Sequence, residues 1–131
     1  MMKSVARGVL IWIAAFAVTY VAMIIINSVG AGLHSGGPSY GASRVQQEIS
    51  GFTRLLVHVV PAIAVGYWQP APAWKIAGVM SLITEGVNAM QLTSHAGFPY
   101  VGAPVAEIAA YVLLGIFAAS TVASWRRLRS A

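Results

Sequence analysis

Residues 8–27, GVLIWIAAFAVTYVAMIIIN, contain no charged side chain. About 20 residues at 1.5 Å rise cover the ~30 Å hydrocarbon core of a bilayer. The stretch therefore predicts a membrane-spanning helix. Lys3 and Arg7 before it, and the small residues Val29, Gly30 and Ala31 after it, also fit a secretory signal peptide. Signal h-regions are only about 7–15 residues long, so a retained helix is the expected reading.

The rest of the chain has the same character. Of 131 residues, 58% are apolar and 8% charged. A soluble domain carries about a quarter charged residues, because its surface faces water. So few charges suit a fold whose outer surface faces lipid, and the length suits one domain. No repeat of solenoid period is present. Cysteine is absent, which excludes disulfides, thiolate nucleophiles and Cys-held zinc or iron–sulfur centres.

Outward from the first span, residues 28–43 (SVGAGLHSGGPSYGAS) are rich in Gly and Ser and contain Pro38. That composition predicts an outer loop. Ser43 and Gln46 fit a capping box, so a helix is expected near Arg44, its polar start (residues 44–50) either lying at the interface or extending the next span. The second span is expected over residues 52–68, with Pro61 inside it. The turn QPAP (69–72) follows, and Pro72 suits a helix start. A third span over residues 73–92 and a fourth over 105–125 complete an all-α, four-helix membrane bundle.

Orientation follows from the basic residues. Four spans put both termini and the 69–75 turn on one side, together with Lys3, Arg7, Lys75, Arg126, Arg127 and Arg129, six of the 8 Lys+Arg. By the positive-inside rule both termini are expected in the cytoplasm, with the chain in a bacterial inner or plasma membrane. Trp68, Trp74 and Trp125 fall at the same boundary, where amphipathic rings anchor helices. Basic residues at span ends encode topology; they do not form the patch of a nucleic-acid-binding fold, and no nucleic-acid partner is expected.

Several polar residues lie within the apolar runs. On the third span Ser81, Thr84, Glu85 and Asn88 share an arc of about 100°, extended slightly by Gln91, at 3.6 residues per turn. Ile76, Val79, Met80, Leu82, Ile83, Val87 and Met90 occupy the other faces. Such a stripe should face the bundle interior. On the second span Arg54 and His58 are four apart and share a face. On the fourth, Glu107 lies about one turn from the outer end, with Tyr111 a turn deeper. Glu85, ten residues beyond Lys75, lies ~15 Å from that end. Arg54, His58, Glu85, Asn88 and Glu107 are therefore expected to form one polar cluster in the outer half of the bundle, with Arg54 paired to Glu107. The plainer alternative is interhelical glue, at about 0.6 kcal/mol per hydrogen bond.

Small residues recur every fourth position at Ala62 and Gly66 and at Gly115, Ala119 and Ala123, the spacing that lets membrane helices approach closely. Of the three histidines, His34 and His95 fall in expected outer loops. With only His58 embedded, haem held by two facing histidines is not expected. Neither HxxxH nor HExxH spacing supports a metal site, so no cofactor or metal is expected. VGAG (29–32) and SGGPSYG (35–41) lack the Lys-Ser/Thr ending of a phosphate loop. Without a recognisable nucleophile, an enzyme is a third choice alongside a holin. The leading expectation is an accessory or scaffold membrane protein, or a self-associating bundle, partnered by the bilayer and by copies of itself or a larger complex. The alternative is a small oligomeric transporter or channel in which Glu85 binds a proton or cation and Arg54 and His58 tune it.

Overall fold

The computed structural model describes the backbone of residues 2–33, 40–69, 71–96 and 102–131, and side chains within 2–30, 49, 51–69, 71–90 and 105–131. The described residues form four helices and no strand: α1 (Met2–Leu33), α2 (Tyr40–Trp68), α3 (Ala73–Ala96) and α4 (Gly102–Ser130). Three contain segments long and apolar enough to cross a membrane: Met2–Gly30, Gly51–Trp68 and Val105–Ser130. Over its described residues α3 is not among them, since Ser81, Thr84, Glu85 and Asn88 dilute its apolar content.

Two expected boundaries change. Ser28–Leu33 continue α1, and 40–43 already belong to α2, so the loop expected over 28–43 is helical at both ends. Ser43 lies inside α2 and is not its cap. Residues 44–50 extend the second helix without a break. The physical reason is that glycine ends helices chiefly where water competes for the backbone. In a low-dielectric setting intrahelical hydrogen bonds are harder to replace, and membrane helices tolerate Gly readily. Several hydroxyls also turn back onto their own helix. Thr19 donates to the Ala15 carbonyl at 2.7 Å, Thr84 to Met80 at 2.8 Å and Thr121 to Phe117 at 2.8 Å.

α2 is the central helix: of its most apolar 18 residues 44% are buried, against 6% for α1 and 11% for α4. It runs through Pro61, which is buried. The α2–α3 turn is closed by the Pro72 carbonyl, which accepts from the amides of Lys75 and Ile76 at 3.1 and 3.3 Å. The core (Trp12, Ala62, Val65, Ala73, Ile76, Ala77, Ala119, Ala123) is made largely of small side chains. Leu10, Val18 and Ile25 on α1, Val79, Leu82 and Met90 on α3, and Leu113 and Phe117 on α4 point outward. An apolar outside around a small-residue inside is the arrangement a lipid-facing bundle requires.

The recurrent small residues lie at these internal contacts. A Cβ on Gly66 would come within 2.6 Å of the Ala119 carbonyl oxygen, and one on Gly115 within 2.7 Å of Ser81 Oγ. A Cβ on Gly8 would collide with the Ile76 side chain. These contacts set α2 against α4, α3 against α4, and the start of α1 against the start of α3. The helices therefore alternate in direction, with Lys3, Arg7, Lys75, Arg126, Arg127 and Arg129 at one end. Rings at that end carry cations: Lys75 over Trp74 at 5.4 Å, Arg126 over Tyr67 at 5.0 Å and Arg129 over Trp125 at 4.3 Å.

Candidate functional site

Arg54 and His58 are one turn apart on α2 and point toward α3 and α4. Arg54 Nη2 donates to Glu85 Oε2 at 2.8 Å, and its Nη1 donates to Glu107 Oε1 at 3.1 Å. His58 Nε2 lies 2.6 Å from the other Glu85 oxygen, Oε1. One guanidinium thus links carboxylates from two helices, and one carboxylate collects both Arg54 and His58 of α2. His58 is 1% exposed and Glu85 2% exposed. Glu107 is half exposed at the outer edge.

Tyr111, one turn from Glu107, completes the arrangement. Its ring stacks on His58 with centroids 4.8 Å apart and planes at 29°, and the Arg54 guanidinium lies 4.9 Å from its centroid. Tyr111 was visible in the sequence only as a residue inward of Glu107. Its role depends on α4 facing α2, which spacing along α4 does not encode.

The proton positions follow from the partners. With a guanidinium in contact, Glu85 acts as a carboxylate and only accepts. The hydrogen between Glu85 and His58 then belongs to His58 Nε2. In the neutral ring this leaves Nδ1 as an acceptor. Neither His58 Nδ1 nor Arg54 Nε, both buried, has a hydrogen-bond partner among the described residues.

Arg54, His58 and Glu85 border a cavity of about 520 Å³ between α1, α2 and α3. Arg54, His58, Glu85, Asn88, Thr84 and Thr53 form its polar wall. Phe16, Tyr20 and Met23 of α1 face it, with Val57 and Val87 filling the flanks. The α1 wall is an aromatic stack: Trp12 and Phe16 centroids are 4.9 Å apart, and Phe16 and Tyr20 are 5.7 Å apart. At the end away from Lys3, Arg7 and Lys75 the Asn27 amide donates to Thr53 Oγ1 at 3.3 Å, tying α1 to α2. The sequence offered one signal for this wall, the four-residue spacing of Trp12, Phe16 and Tyr20. It was hidden because α1 is apolar on every face.

The remaining expected residues are placed as follows. Ser81 is fully buried against Gly115, away from the cavity lining. Gln91 lies outside the described side chains. His95 falls within the last turn of α3 rather than in a loop, and His34 lies outside the described residues. Among the described residues no three His, Asp or Glu side chains are grouped to hold a metal ion. No protein-family model, curated protein or solved structure matches the chain.

Proposed function

We propose that this chain is a membrane-embedded binding protein with the cavity between α1, α2 and α3 as its ligand chamber. The observation that carries the reading is the cavity itself, bounded by two almost fully buried ionisable residues and an aromatic wall. A salt bridge that only fastened helices would be packed on all sides, because a void beside buried side chains forfeits dispersion contacts. About 520 Å³ falls within the ~300–1,000 Å³ range of small-molecule sites. A wall of one polar and one aromatic face suits an amphipathic solute entering from lipid.

This develops the transporter-like expectation, with one change of emphasis. A bare cation at Glu85 would have to displace Arg54 and His58, which already occupy both oxygens. Binding of an organic solute leaves that network in place. An accessory role for the bundle predicts no specific occupant.

A photoreactive alkyl-diazirine probe, applied to the protein in lipid nanodiscs, separates the two. Labelling is expected to saturate and to map to the peptides carrying Tyr20, Met23 and Val87, and Met23→Trp should abolish it by filling the space. Labelling that never saturates and spreads over the outward faces of α1 and α4 would overturn the chamber.

The same reading sets the bundle across the bilayer four times with both termini cytoplasmic, because six cations and their aromatic partners gather at one end. Since the chain has no cysteine, single cysteines report cleanly. Cys at Ser130 should react with an impermeant maleimide only after the cytoplasmic face is opened. Reaction in sealed cells would reverse the orientation.

A further inference from the structure

We propose that Arg126 and Arg129 on α4 form a clamp for the phosphate of an anionic phospholipid in the surrounding bilayer. The site lies where the six cations gather and does not depend on the chamber; it rests only on α4 crossing the membrane. About 20 residues from Val105 at 1.5 Å rise traverse the ~30 Å hydrocarbon core. The helix therefore leaves hydrocarbon near Trp125, and its next turn carries Arg126 and Arg129 into the headgroup layer. Three residues apart, the two are neighbours on one helix face.

A ring holds each guanidinium. Arg126 lies over Tyr67 of α2 at 5.0 Å, and Arg129 over Trp125 at 4.3 Å. Contact with a ring steadies a cation while leaving its N–H groups free to donate. Neither guanidinium has a hydrogen-bond acceptor or a carboxylate partner among the described residues. The acids are elsewhere: Glu85 and Glu107 are engaged with Arg54, and Glu48 belongs to the first half of α2. A phosphodiester supplies what the pair lacks, a negative charge with several acceptor oxygens that match a planar fork of donors. Tyr67, Trp125 and Leu128 are exposed beside these cations. Exposed apolar flanks suit a lipid, whose chains can cover them, better than a polyanion arriving from water.

The experiment reads Trp125 fluorescence in vesicles of phosphatidylglycerol mixed with phosphatidylcholine. Trp68→Phe with Trp74→Phe leaves Trp125 as the exposed indole, since Trp12 is 2% exposed and shielded from lipid. Either lipid, brominated beneath its headgroup, quenches an indole it touches, and each reading is taken relative to the unbrominated mixture. Phosphatidylglycerol is expected to be selected about fivefold, the effect of a basic residue beside an anionic leaflet. Arg126→Gln with Arg129→Gln should bring the two lipids to parity. Lys3→Gln with Arg7→Gln removes the same charge from α1 and should leave the selection intact. Tyr67→Leu should weaken it, while Tyr67→Phe keeps a ring under Arg126 and should preserve it. Equal quenching by the two brominated lipids overturns the proposal and leaves the pair to an acidic protein. Selection that survives loss of both arginines, or falls as far without Lys3 and Arg7, reflects general surface charge and overturns the clamp. Unchanged selection in Tyr67→Leu removes the ring from the site. Selection abolished by inorganic phosphate, but not by sodium chloride of equal ionic strength, would assign the clamp to free phosphate and overturn the lipid.

Discussion

Glu85→Leu is expected to destabilise the folded bundle by about 3 kcal/mol, the range found when one partner of a buried ion pair is removed. Glu85 is 2% exposed and accepts from two side chains of α2. Its loss leaves His58 Nε2–H without an acceptor inside the bundle and leaves Arg54 with Glu107 alone. Glu85→Gln keeps both heavy atoms near their partners and should lose less, about 1–2 kcal/mol. Glu107→Gln should lose under ~1 kcal/mol, because that carboxylate is half exposed and its attraction is screened. In a double-mutant cycle the Arg54–Glu85 coupling should therefore exceed the Arg54–Glu107 coupling. Replacing all three inner members with apolar groups, Arg54→Met, His58→Phe and Glu85→Leu, should recover much of the loss, since the one charge then left without its partner, Glu107, is half exposed. Unfolding in mixed micelles by SDS titration measures each. A loss below that of Glu107→Gln for Glu85→Leu would mean that water reaches the carboxylate freely.

The contrast between Glu85 and Glu107 also shows what the sequence carries. Arg54 and Glu107 each sit a few residues inside an apolar run, so run boundaries alone set them at similar depth. Ser81, Thr84, Glu85 and Asn88 share an arc on a helix otherwise made of Val, Leu, Ile and Met, so their inward side follows from the helical period. Burial of Ser81 and Glu85, with Val79, Leu82 and Val87 outside, is the structural counterpart. Membrane proteins make such inferences strong because a polar group has few places to go in hydrocarbon.

Apolar residues give no comparable constraint. On α1, Trp12 is buried while Ile13, Val18 and Val21 are exposed, yet all four are equally at home in lipid. The rotation of α1 about its axis, and with it the aromatic wall of the cavity, is set by shape against α2 and α3. Hydropathy cannot report that. The glycine-rich stretch between α1 and α2 misleads for a related reason. Its composition marks a loop in water, where solvent takes over freed backbone groups; here helix continues through Gly30 to Leu33 and resumes at Tyr40. His58 shows the third limit. Its place four residues after Arg54 was plain, but the Glu85 carboxylate on α3 and the Tyr111 ring on α4 meet it only once the bundle closes.

Gly66→Leu is expected to separate α2 from α4 and to be the most damaging single substitution outside the polar network. A Cβ at position 66 would lie 2.6 Å from the Ala119 carbonyl oxygen, 3.1 Å from Val122 Cβ and 3.2 Å from Ala119 Cα. Two of those atoms are backbone, so no rotamer change can relieve the contact and the helices must move apart. Gly66→Ala should already cost about 1–3 kcal/mol, the usual toll of overpacking. Gly66→Leu should exceed that, because small-residue contacts supply packing that lipid does not replace. Movement of α4 would also withdraw Tyr111 and Glu107 from Arg54 and His58, so the variant should lose saturable ligand labelling together with stability. Gly86→Ala is the control, since a Cβ there meets nothing within 4 Å and removes a helix-destabilising glycine. It should be neutral or stabilising by up to ~1 kcal/mol. If Gly66→Leu unfolds at the same SDS fraction as Gly86→Ala, α4 is not held at this contact, and Arg54 and His58 would have to meet Glu107 and Tyr111 in some other way.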